Sequence, residues 1–185
     1  MKTRKLLAVV LAVAMLASFI SVPVFADGEG AVLEDLGILM GTDEDGVTEE
    51  YLASTATRAQ AALIHLRLFG LEEEALAFEG TETFMDAATA TEFWQPVLEY
   101  LKANPELGWQ GDDMGYFNPT AAITGQQFTK VLLVALGYVE GTDFTYDETM
   151  TFAAGIGLDA LADKAADDLT VEDLAIALVQ ALGLK

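Results

Sequence analysis

Cysteine is absent from the 185 residues and histidine occurs once, as His65. The first absence excludes a disulfide framework and a lipid-modified N-terminal cysteine, so retention at a cell surface has to come from non-covalent contacts. With a lone mid-helix histidine and no thiol, a zinc site is not expected, and His65 reads as a packing or half-exposed residue. Positive charge is scarce as well: nine Lys and Arg stand against thirty Asp and Glu, for a formal charge of −21. Such a field disfavours nucleic acid, anionic lipid and anionic wall polymers, and favours divalent cations. Missing too are a Gly-x-Ser-x-Gly elbow, a phosphate-binding Gly-x-x-x-x-Gly-Lys loop and any base within a nucleophile motif. Catalysis would have to come from paired carboxylates alone, so no enzymatic activity is expected. The chain is nevertheless 52% hydrophobic with ten Phe, outside the composition of disordered acidic proteins.

Long apolar runs are confined to one place. Lys2, Arg4 and Lys5 precede the run Leu6 to Ile20, and Val24-Phe25-Ala26 supplies small residues for cleavage. Residues 1–26 read as a secretory signal peptide, too short for a membrane span and followed by acidic sequence from Asp27. An exported bacterial protein is expected, with no membrane contact after cleavage. Residues 27–185 then form one domain carrying about −24, since three of the nine bases are lost with the leader.

One outline occurs three times in that domain. "TRAQAALIHLRLFG" from Thr57, "TGQQFTKVLLVALG" from Thr124 and "TVEDLAIALVQALG" from Thr170 each set Thr and Gly 13 residues apart. The threonine caps a helix, Gln60, Gln127 or Asp173 closes a capping box, and the glycine supplies a left-handed stop. Between them Ala61, Leu66 and Phe69, then Phe128, Leu132, Leu133 and Leu136, then Leu174, Leu178, Val179 and Leu182 recur at helical spacing. A less regular helix precedes each: Ala31 to Gly41, Phe93 to Gly111, and Thr149 to Leu158. The unit is helix, glycine turn, extended loop, capped helix, and three such units should share one core. They fall at about 28–72, 84–138 and 144–185. The capped threonines lie 67 and then 46 residues apart, so the third unit is the shorter.

These parts resemble the S-layer homology domains of Gram-positive cell envelopes. In the middle unit "FMDAATATEFW" is similar to the family's Phe-x-Asp run leading to a helix-opening Trp. "GWQG" resembles its Gly-Ile-x-x-Gly turn less one residue, and "YFNPTAAIT" its Phe-x-Pro loop before the closing motif. The first unit keeps "GILMG" and "TRAQAA", and the third "IGL" and "LTVEDLAIAL". The resemblance spans nearly all of residues 28–184. It implies a mainly all-α, pseudo-threefold spindle of three helix-loop-helix units with short extended loops. It also implies a role in holding exported proteins to secondary cell-wall polysaccharide, at the wall or surface of a Gram-positive bacterium.

In the family the arginine after the capping threonine lines grooves that receive an anionic wall sugar. A guanidinium suits that task because its planar fork pairs with a carboxylate. Here the position holds Arg58, Gly125 and Val171, so one groove of three keeps its cation. A charge-assisted hydrogen bond contributes about 1.5 to 3 kcal/mol, so losing it weakens a groove at least tenfold. The expected ligand-binding residues are Arg58, Asp86 and Trp109. Surface ion pairing is the alternative for Arg58. Trp109, in a glycine-flanked turn, either stacks on a sugar or packs between units, and Trp94 is expected in the core. In "GTDEDGVTEE", placing Gly46 sixth in an EF-hand puts Gly41 first and Leu52 twelfth, so the register fails. Loose calcium binding by "DEDG", "GDDMG" or "ADKAADD" stays open beside their reading as solvated loops; no other cofactor is expected. The alternative function is an extracellular structural protein that self-associates or docks with a partner, with calcium neutralising its surface.

Overall fold

In the computed structural model, residues 28–41 and 46–184 are described. The signal peptide and most of the "DEDG" stretch lie outside them. Eight α-helices are present there: α1 Gly28–Asp35, α2 Glu49–Ala53, α3 Arg58–Leu68, α4 Glu72–Leu76, α5 Gln95–Ala103, α6 Gly125–Ala135, α7 Thr149–Gly155 and α8 Val171–Gly183. Short 3₁₀ turns flank α5 and α7, and the described residues contain isolated β-bridges but no strand. The chain is thus mainly helical, as its sequence pattern predicts, and no helix among these residues is long and apolar enough to cross a membrane.

The three capped helices form for the reasons their sequences give. Thr57, Thr124 and Thr170 each accept from the backbone N–H three residues on, and Gln60, Gln127 and Asp173 reach back to the cap. Every box satisfies two N–H groups that the first helical turn leaves open. Gly70 and Gly137 end α3 and α6 with φ of 65° and 98°. Gly183 departs from that pattern, because α8 runs through it and Leu184 follows as the cap.

The residues just before the caps tie the helices together. Ala56 N donates to Leu169 O at 2.8 Å, Leu169 N to Ile123 O at 2.9 Å, and Ile123 N to Ala56 O at 3.1 Å, which closes a cycle. A second cycle runs in the opposite sense one residue inside each helix: Arg58 N to Ala121 O, Gly125 N to Asp167 O and Val171 N to Ser54 O. Ala56, Ile123 and Leu169 are fully buried, so the three bonds of the first cycle satisfy backbone groups that water cannot reach. Helix packing follows the same circuit. The segment α4 after the first capped helix carries α5, α6 carries α7, and α8 carries α1, the first helix of the described chain. One continuous core results, from Leu33 and Leu39 through Leu66, Leu101, Phe117 and Phe128 to Leu174 and Leu178. Trp94 lies partly buried against it.

The shortened third unit draws its loop tightly over the second. A Cβ added to Gly125 would stand 2.2 Å from the carbonyl oxygen of Lys164 and 2.7 Å from its carbon. Only a residue without a side chain fits, and Gln126 N donates to Ala165 O just beyond it. Val171, the third equivalent, is itself fully buried. Gly125→Ala should therefore destabilise the fold by about 1–3 kcal/mol through overpacking against backbone. Gly183→Ala, with nothing within 4 Å of the added carbon, should be neutral or stabilising by up to about 1 kcal/mol. Urea midpoints of the two variants check the contrast.

Candidate functional site

Arg58 is the first residue of α3, and its direction is set by the cycle that fixes the cap before it. The side chain leaves the helix toward the middle unit. Nε donates to Phe117 O at 2.8 Å, and the guanidinium carbon lies 5.0 Å from the Phe117 ring centroid and 6.0 Å from that of Trp109. Neither terminal nitrogen has a hydrogen-bond acceptor among the described residues, and no carboxylate there forms an ion pair with it. Arg58 thus does not take the surface ion pair that is its alternative reading. Burial pushes its pKa down from the usual arginine value, and Tyr146, Asp112 and Asp86 offset that in part. The group stays charged.

Asp86 builds the ledge on which Arg58 rests. Its two carboxylate oxygens accept from Phe117 N at 2.8 Å and Asn118 N at 2.6 Å, holding Asn118 in a left-handed conformation with φ of 58°. The carbonyl of Phe117 is thereby aimed at Arg58 Nε. Asp86 positions the loop, since these two bonds occupy both of its oxygens.

Trp109 corrects the expectation of an open indole. It is 1% exposed, and its Nε1 donates to Nδ1 of the equally buried His65 at 3.1 Å. The reason lies in the turn before it. Gly108 takes φ of 88°, and Lys130, a buried lysine on α6, donates from Nζ to Gly108 O and Gln110 Oε1 while pairing with Glu140. That clamp turns the indole inward, where it packs against Phe117 and cannot offer a face to a sugar. Its contribution is to support the ring on which Arg58 lies.

The three residues singled out from the sequence therefore converge in one cluster. Phe117 of the "YFNPTAAIT" loop, Asp112 of "GDDMG" and Tyr146, which was not marked, join them. Tyr146 left a signal: in "FTYDE" it stands two residues after buried Phe144, as Asp86 stands two after buried Phe84 in "FMDAA". Its backbone carbonyl accepts from Gln126 Nε2 at 2.8 Å, so all three units contribute to this region.

Within the described residues, the acidic stretches make local contacts. Asp112 Oδ1 accepts from Met114 N and Tyr116 N within "GDDMG", and Lys164 of "ADKAADD" pairs with Asp173. Among the described residues no group of three or more His, Asp or Glu side chains is placed to hold an ion. No protein-family model matches the chain, and no curated protein matches it either.

His65 carries a chemical liability. With Nδ1 accepting from the indole, the proton of the neutral ring is on Nε2, which is buried without a partner. Protonation would set two donors against each other, and burial pushes the imidazole pKa from 6.5 down to about 4. The unfolded chain binds the proton first as pH falls. The stability that His65 contributes is therefore complete above about pH 6.5 and is lost as pH drops toward 4, by about 3 kcal/mol. Between pH 7.5 and 4.5, urea unfolding should show a loss in the native chain that exceeds the loss in His65→Phe by about 2 kcal/mol or more.

Proposed function

We propose that this chain is a secreted, non-catalytic cell-envelope protein: a divergent S-layer homology domain, its three units arranged in the family's pseudo-threefold spindle, that associates with secondary cell-wall polysaccharide through Arg58. The observation carrying this reading is the state of that guanidinium. In a chain with thirty carboxylic acids, Arg58 is braced by an aromatic ring and a carbonyl, and its terminal donors remain unspent among the described residues. A planar fork so held suits a carboxylate on a sugar, and bracing lowers the entropy lost on binding. The order of parts along the chain and the closed cycles of backbone bonds between units also support the family reading. Gly125 and Val171 leave the other two junctions without a cation, so a single groove is competent.

Co-sedimentation of the mature protein with purified Gram-positive walls, intact or stripped of secondary polysaccharide, tests the proposal. Binding should require the polysaccharide and fall at least tenfold in Arg58→Ala. Arg58→Lys should recover only part of it, because an ammonium lacks the fork. Equal or absent binding across all walls would overturn the reading.

A further inference from the structure

Five basic side chains lie among the described residues, and three are taken up by carboxylates: Arg67 by Glu72 at 2.9 Å, Lys130 by Glu140 at 3.1 Å, and Lys164 by Asp173. The remaining two are Arg58 and Lys102. Both rest on one aromatic pair. Arg58 lies 5.0 Å from the Phe117 ring, the Phe117 and Phe84 rings are 5.0 Å apart, and Lys102 Nζ lies 5.0 Å over Phe84. Three such steps put the two charges no more than about 15 Å apart.

An acidic protein gives a half-exposed lysine many carboxylates to choose from. Lys102, in the last turn of α5, instead holds its ammonium over the Phe84 ring, with no carboxylate partner among the described residues. The same loop architecture supports both cations: Phe84 lies two residues before Asp86, which holds Phe117 under Arg58. We infer that Lys102 is a second anchoring cation for the ligand of Arg58, and that this ligand is a glycan carrying acidic groups within about 15 Å of one another. This rests on the wall-polysaccharide reading and extends it to the spacing of charge along the polymer. Dense polyanions fit poorly. Duplex nucleic acid carries a charge for about every 1.7 Å of its axis, and beside Arg58 it would meet the field of Asp86 and Asp112.

The test is a binding isotherm on polysaccharide-bearing walls, with stripped walls as the blank. Lys102→Met, which keeps an unbranched side chain without the charge, should weaken binding roughly five- to tenfold, and Lys102→Arg should restore it. Added salt should narrow the gap between native protein and Lys102→Met. Lys102→Gln serves as a second variant should the first shift the urea midpoint, and it too must weaken binding. Loss in Arg58→Ala with Lys102→Met and Lys102→Gln unchanged would overturn the inference and leave the wall-glycan reading standing. Unchanged binding in all three would overturn both.

Discussion

Three buried backbone hydrogen bonds, running from Ala56 to Leu169, from Leu169 to Ile123 and from Ile123 back to Ala56, organise the molecule. Each residue donates to one neighbour and accepts from the other, so the cycle has no free end. A buried amide left unpaired costs about 1–3 kcal/mol, and breaking any one link would leave both a donor and an acceptor unpaired. The capping threonines follow these residues directly, so the cycle also fixes where α3, α6 and α8 begin and which way their first turns face. Placement of Arg58 is a consequence of that backbone geometry before it is a matter of side-chain chemistry.

Equivalence of the backbone does not extend to the surface. At the residue after each cap the chain carries an arginine over aromatic rings, a glycine pressed against Lys164 O, and a buried valine. The short third unit explains the glycine, since its loop occupies the space an arginine would need. Gly125 carries no cation, and the backbone of Lys164 leaves no room for one. The first junction stays open because the longer middle unit sends its loop through Asp86, Asn118 and Phe117 and leaves the guanidinium a ledge.

Much of this was legible in the sequence because it depends on local chemistry. Capping boxes, helical spacing and the glycines at positions 70 and 137 are short-range signals, and the structure repeats them. Gly183 departs from the expected left-handed stop, because α8 continues through it to Leu184. Arg58 was found by its place after a cap, Trp109 by its glycine-flanked turn and Asp86 in the Phe-x-Asp run, yet their roles depend on partners far along the chain. Trp109 faces inward because of His65, 44 residues before it, and Lys130. Tyr146 went unmarked because its neighbourhood is created only when units meet, and Lys102 because its place over Phe84 is a contact within the middle unit that no motif announces.

The packing of α1 on α8 makes the chain a ring with a single break, and that has a kinetic meaning. The junction between the first and second units and that between the second and third can form while the polypeptide is still growing. Seating α1 on α8, and Ala56 N on Leu169 O, requires segments more than a hundred residues apart to meet. Loop-closure entropy makes such contacts late ones. Until then the apolar faces of α1 and α8 stay open, and two half-closed molecules can complete each other's rings as readily as their own. Intermolecular exchange of α1 is thus the characteristic misassembly of this architecture, favoured when the protein folds at high concentration.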